Sequence, residues 1–179
     1  MDIKKIDWES RCDKFTDHSY KSLYKFLIRG TPSNVLEIGV RLGAGFYYWK
    51  DLYDIQDIWG IDNRTLEVAS QEDGLPYMEV PEWGTFIHSD IYAVNVDELP
   101  SYDLIVDDGS HWPKDQSYAL NQFHSKLTKG GLMIIEDILN LDNANYIVDN
   151  FIGDKDKLMI IDRTFVKGRI DDILIVYYN

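Results

Sequence analysis

From residue 19 onward, short apolar runs alternate with amphipathic stretches. Residues 19–29, SYKSLYKFLIR, space apolar groups three and four apart, the period of a helix with one buried face. Gly30-Thr31-Pro32-Ser33 ends that helix, because proline cannot continue it and pushes the residue before it to extended backbone. Apolar runs follow at 34–39, 58–62, 85–88, 102–106 and 132–136, each of strand length and bounded by turn residues. Helical patterns at 45–53, 65–70 and 116–127 lie between them, and Lys129-Gly130-Gly131 stops the last. Two more strands are predicted at 157–162 and 172–178, and the acidic stretch 142–149 reads as a loop.

Strands alternating with helices predict an α/β protein, a mostly parallel sheet with helices on both faces. Such sheets bind ligands beyond the carboxyl ends of their strands. Each of the first five predicted strands ends in acidic or glycine-bearing positions: Glu37-Ile38-Gly39, Asp62, Asp90, Asp107-Asp108 and Glu136-Asp137. One aspartate after a strand is a common turn or helix cap. A row of them along one edge points to a site.

A length of 179 residues suits one domain, here a helical cap over 1–33 and a core over 34–179. The net charge of −13 repels phosphate backbones, so nucleic acid is not an expected partner. No apolar run reaches the ~20 residues of a membrane span, and MDIKKIDWESRCDKF carries no apolar leader. The single cysteine, Cys12, excludes an internal disulfide and is read as an inert helix residue. Together these features predict a cytoplasmic protein with no membrane partner.

The first strand runs into E-I-G-V-R-L-G-A-G, Glu37 to Gly45. Its glycines permit a tight turn and close backbone approach to a ligand. The order does not fit the G-x-G-x-x-G of nicotinamide sites, and Glu37 would repel a pyrophosphate but suit a cationic ligand. Asp62 stands where a ribose-binding carboxylate belongs.

E-I-G-x-x-x-G followed by Gly60-Ile61-Asp62 resembles the cofactor site of class I S-adenosylmethionine-dependent methyltransferases. The resemblance covers residues 33 to the end. It implies their Rossmann-like, seven-stranded sheet with the last strand antiparallel. Within that superfamily, V-D-D-G-S-H (106–111) and G-G-L-M-I-I-E-D (130–137) resemble the metal-dependent sugar O-methyltransferases of macrolide biosynthesis and the related cephalosporin hydroxylase-like group. The resemblance implies that Glu37, Gly39 and Gly43 shape the pocket for the amino-acid end of S-adenosylmethionine. Asp62 would accept from the ribose hydroxyls, and Asp90 would lie beside the adenine. Asp108, Glu136 and Asp137 would hold a divalent metal, and His111 would be the general base.

The chemistry gives the cluster a reason. A hydroxyl is a poor nucleophile until it loses its proton. A bound cation lowers its pKa, and a histidine in reach accepts the proton near neutral pH. All-oxygen ligands suit a hard cation, Mg²⁺ before Mn²⁺ or Ca²⁺, and zinc is disfavoured without thiolates. Asp107 and Asp108 point to opposite faces of a strand, so Asp108 is taken as the ligand and Asp107 as structural or cofactor-side.

Blander readings stand beside these. Asp107 to Ser110 can be a turn with a cap, and Glu136-Asp137 the acidic start of a helix. His18, His88 and His124 are read as structural. Trp112 either stacks on a sugar or packs. Tyr77, Trp83 and 142–149 either form a lid or are ordinary loops. The expected acceptor is a small-molecule hydroxyl, with a catechol-type vicinal diol or a non-catalytic cofactor-fold binding module as alternatives. A homo-oligomer is compatible with so short a chain.

Overall fold

The computed structural model describes residues 11–179. Its centre is β1 (Asn34–Ile38), whose apolar residues face both ways because both sheet faces are covered. β1 pairs in parallel with β2 (Asp57–Asp62) and β4 (Tyr102–Asp107). β3 (Gly84–His88) adds to β2, and β5 (Leu127–Ile138) to β4, again in parallel. β6 (Leu158–Asp162) and β7 (Ile173–Tyr178) complete the order β3-β2-β1-β4-β5-β7-β6. β7 runs antiparallel to both of its neighbours. The seven-stranded, mostly parallel sheet with an antiparallel last strand is therefore as predicted.

Alternation along the strands divides the core in two. Val35, Ile58, Leu104 and Ile134 face Tyr24 and Leu27 of α2 (Lys21–Leu27) and Phe46, Tyr48 and Trp49 of α3 (Ala44–Tyr53). Leu36, Ile61, Ile105 and Met133 face α5 (Pro113–Phe123) and α6 (Leu141–Asp149). α4 (Leu66–Asp73) begins at Thr65, whose hydroxyl accepts from Val68 N, and ends at Gly74 in the left-handed region. One-turn helices α1 (Asp13–Thr16) and α7 (Thr164–Lys167) lie outside the sheet. Residues 1–10 of the predicted cap fall outside the described part; the rest of it is α1 and α2.

Two predictions need correction. The stretch 142–149 is not a loop: it lies within α6, capped by Asn140, whose side chain accepts from Asn143 N at 2.9 Å. Ala144 and Ile147 are buried at helical spacing, while the Asp and Asn residues that argue for a loop sit mainly on the solvent side. Lys129-Gly130-Gly131 does not stop a helix. α5 closes at Phe123, and these residues form an irregularity inside β5, between Leu127, which pairs Tyr102, and Leu132, which pairs Leu104. Asn179 holds the irregularity, accepting from Gly130 N and donating to Gly131 O. Among the described residues, no helix is long and apolar enough to cross a membrane.

Candidate active site

The carboxyl ends of the parallel strands open onto a cleft of about 610 Å³, within the range of small-molecule sites. Its floor is the turn after β1. Gly39 adopts φ +89° and donates to Ile61 O, and a side chain there would strike the backbone carbonyl of Asp108. Only glycine lets the β1 and β4 turns approach so closely. A side chain at Gly45 would likewise meet the Glu37 carboxylate, which lies against the first turn of α3. Gly43, at φ +84°, is the N-cap of that helix, and its neighbours Leu42 and Ala44 line the cleft.

Asp62 braces the same turn. Its Oδ2 accepts from Val40 N at 3.0 Å and Arg41 N at 2.8 Å, and its Oδ1 from Arg64 N at 2.9 Å. Asp62 and Asp90 both line the cleft, and Asp90 Oδ1 accepts from Tyr92 N at 3.0 Å. Asp107 is buried and accepts weakly from Gly109 N at 3.3 Å; its Oδ2 has no hydrogen-bond partner among the described residues. Burial pushes its carboxyl up to about 7.

The turn Asp108 to His111 is tied to α5, since Ser110 Oγ donates to Asp115 Oδ2 at 2.6 Å. Tyr92 donates to the other oxygen of Asp115, also at 2.6 Å. His111 leaves the turn at φ +58°, a left-handed conformation costly for a side chain with a Cβ, and Asp137, where the register of β5 shifts between Ile135 and Ile138, adopts φ +54°. These conformations bring Asp108, His111 and Asp137 together, with one ligand atom of each within 4.8 Å of the others. Two carboxylates and an imidazole so disposed fit a divalent cation. His111 Nε2 lies 4.0 Å from Asp108 Oδ1, and its side chain is 41% exposed to the cleft.

The sequence reading missed two residues here. Lys14, from α1, pairs with Asp108 Oδ2 and lies 2.8 Å from Glu136 Oε2 and 3.5 Å from Glu37 Oε1. Glu136 therefore faces Lys14 rather than the three-residue group. Burial pushes Glu37 up to about 7, Asp108 to about 6 and Glu136 to about 8, against the pull of Lys14. Burial works against the ammonium as well, but Asp108, Glu136 and Glu37 hold its pKa well above the ordinary value. Tyr20 is the second missed residue and donates to Asp137 Oδ1 at 2.8 Å. His18, read as structural, is buried behind the same carboxylate: its Nδ1 lies 3.4 Å from Asp137 Oδ1 and 3.7 Å from buried Asp172.

His88 donates to Asn63 O and His124 to Leu120 O, as structural histidines do. Cys12 stands at the N-cap position of α1 and lines the cleft, and burial raises its thiol pKa. Trp112 is 70% exposed. Trp83 does not form a lid: its ring packs edge-on against Tyr47 at 6.1 Å, with Lys50 Nζ 5.7 Å from its centroid. Tyr77 is not among the residues lining the cleft.

No family model and no curated protein sequence matches the chain. Solved structures match it by fold. The plantazolicin methyltransferase BpumL, in complex with a monoazolic desmethylPZN analogue and SAH, is 16% identical with a TM-score of 0.58; the match covers 96% of this chain and 86% of that one. N-methyltransferase NodS from Bradyrhizobium japonicum WM9, in complex with S-adenosyl-L-homocysteine, is 16% identical with a TM-score of 0.57, over 99% of this chain and 90% of the other. A Klebsiella pneumoniae protein assigned as an O-methyltransferase is 14% identical with a TM-score of 0.63, over 90% and 79%. At such identities the likeness establishes the fold alone, a Rossmann-like sheet of the kind these structures share.

Proposed function

We propose that the protein is an S-adenosylmethionine-dependent O-methyltransferase that acts, with help from a divalent cation, on a hydroxyl of a sugar or sugar-bearing small molecule. The observation that carries this reading is the convergence of Asp108, His111 and Asp137 beside the glycine-turn cleft. Neighbours in fold space bind the demethylated cofactor, and one is assigned as an O-methyltransferase.

The cofactor supplies an electrophilic methyl group on a sulfonium, and the ion, when bound, lowers the pKa of the acceptor hydroxyl. The chain's own residues orient and move a proton. Glu37 and the Gly39 turn would face the α-ammonium of the cofactor's amino-acid end, and Asp62 and Asp90, which line the cleft, would meet its ribose and adenine. Asp108 and Asp137 would hold Mg²⁺ or a similar hard ion. A nitrogen cannot coordinate an ion and accept a proton at once. His111 is assigned as the base because it is the most exposed of the three and faces the open cleft, where an acceptor arrives. Methyl transfer then needs only the in-line approach of the two reactants held in one cleft.

The test is S-adenosylhomocysteine release with a panel of glycosides and vicinal diols, each with Mg²⁺ and with a chelator. Ion-dependent turnover of a glycoside supports the proposal. Turnover confined to catechol-type diols reassigns the acceptor, and failure to bind S-adenosylmethionine ends the methyltransferase reading.

A further inference from the structure

Lys14 belongs to α1, outside the sheet, yet its ammonium ends at the centre of the carboxyl edge. The residue is 2% exposed. Its partners come from three neighbouring strands: Glu37 from β1, Asp108 from the end of β4 and Glu136 from β5. A buried ammonium is costly unless paired, and so are buried carboxylates without a counter-ion. The pairing satisfies both at once. It leaves a surplus, because Asp137 completes four carboxyl groups for one ammonium. The remaining oxygen of Asp108, Oδ1, faces His111, on the side where an ion held with Asp137 would sit.

A divalent ion at Asp108 and Asp137 would therefore share the Asp108 carboxylate with the ammonium, two cations carrying three positive charges between them in a space screened little by water. Lysine is suited to withdraw, with a compact charge on a flexible stem. The helix that carries it is one turn long, so little helical structure opposes its movement.

We propose that Lys14 and a divalent cation are alternative occupants of the carboxylate cluster: the ammonium leaves Asp108 as the ion enters, and α1 moves with it. The lysine thereby sets the affinity and selectivity of the site for cations. The proposal rests on the cation-assisted reading above.

The probe is Mn²⁺ alone, titrated calorimetrically into the metal-stripped chain and into Lys14→Met, which keeps the aliphatic stem and removes the charge. At least tenfold tighter Mn²⁺ binding by the variant is expected. Equal or weaker binding by a folded variant overturns the proposal, as does a lack of Mn²⁺ binding to both proteins. Should Lys14→Met fail to fold, the unaltered chain decides. Lys14 is then modified with an amine-reactive reagent and followed by mass spectrometry. A tenfold or greater rise in its labelling with saturating Mn²⁺ supports exchange, and bound Mn²⁺ with Lys14 still protected refutes it. S-adenosylmethionine binding in the same samples judges the methyltransferase reading separately.

Discussion

The Tyr20 hydroxyl donates a 2.8 Å hydrogen bond to Asp137 Oδ1, joining the segment before α2 to the end of β5 across 117 residues. Asp137 holds a left-handed backbone conformation there, and the phenol fixes its Oδ1. The Tyr20 ring stacks on His18 at 4.8 Å and lies beneath the Arg163 guanidinium at 5.1 Å. The support behind Asp137 is therefore a packed layer, not a lone contact.

Tyr20→Phe keeps that layer and removes only the hydrogen bond. Outer-shell partners of a metal ligand typically contribute about 10–100-fold in affinity or activity. Mn²⁺ affinity is expected to fall by roughly 10-fold, with stability lowered by about 1–3 kcal/mol, because the buried Asp137 oxygen loses its donor. Calorimetry and a melting curve on the same sample check both.

His111→Ala should separate chemistry from binding. Loss of a general base typically costs about 10²–10⁴-fold in rate. The cleft wall near Asp62 and Asp90 is untouched, so S-adenosylmethionine binding should stay within about twofold, less than a 1 kcal/mol change. Product release and calorimetry give the two numbers, and full turnover in the variant removes His111 from the mechanism.

Asp108→Asn should abolish cation dependence and turnover together, because the amide carries no charge for either the ion or Lys14. The loss of ion affinity should exceed the ~10–100-fold typical of outer-shell changes. Full activity in a chelating buffer would contradict the assignment.

Gly39→Ala tests the close approach of the β1 and β4 turns. An alanine at φ +89° is strained, and its Cβ would strike the Asp108 carbonyl. Destabilisation above about 2 kcal/mol is expected, with S-adenosylmethionine affinity lowered as the turn shifts. Urea denaturation measures the first effect and calorimetry the second.

Asp103 offers a pH test away from the cleft. Partial burial opposes its charge, yet Thr128 donates to it at 2.7 Å and Ser33 N at 2.9 Å, holding its carboxyl below the usual carboxylate range. A depressed carboxylate contributes stability above its unfolded pKa of ~3.9 and loses it as pH falls through the folded value. Asp103→Asn should cost about 1 kcal/mol or less near neutral pH, because solvent screens this partly exposed carboxylate, and lessen the steepness of acid unfolding below pH ~4. A denaturation series across pH reads both; unchanged acid sensitivity would assign the effect to other carboxyls.

Much of the fold was legible in local pattern. The runs 34–39, 58–62 and 102–106 became β1, β2 and β4 to within a residue or so at each end, since a strand covered on both faces needs continuous apolar sequence. Helix α6 was hidden because its Asp and Asn residues have weak helix propensity, and only the burial of Ala144 and Ile147 stabilises it. The irregularity at Thr128 to Gly131 was hidden too, because Gly-Gly after a helical pattern resembles a stop signal and only pairing with β4 and Asn179 shows the chain continuing as strand.

By itself, the sequence determined which edge of the sheet carries the cleft. Strand periodicity together with acidic and glycine residues at strand ends is local information, and Glu37, Asp62, Asp108 and His111 all lie along the predicted cleft. Tertiary structure decided what those groups meet. Nothing in the spacing of Lys14, His18 or Tyr20 relates them to residues about a hundred positions away. Buried carboxylates need a counter-charge, and which of the chain's cations supplies it depends on where the cap packs. The partition of the predicted ligands, with Glu136 facing the lysine and Asp137 facing His111, follows from that packing alone.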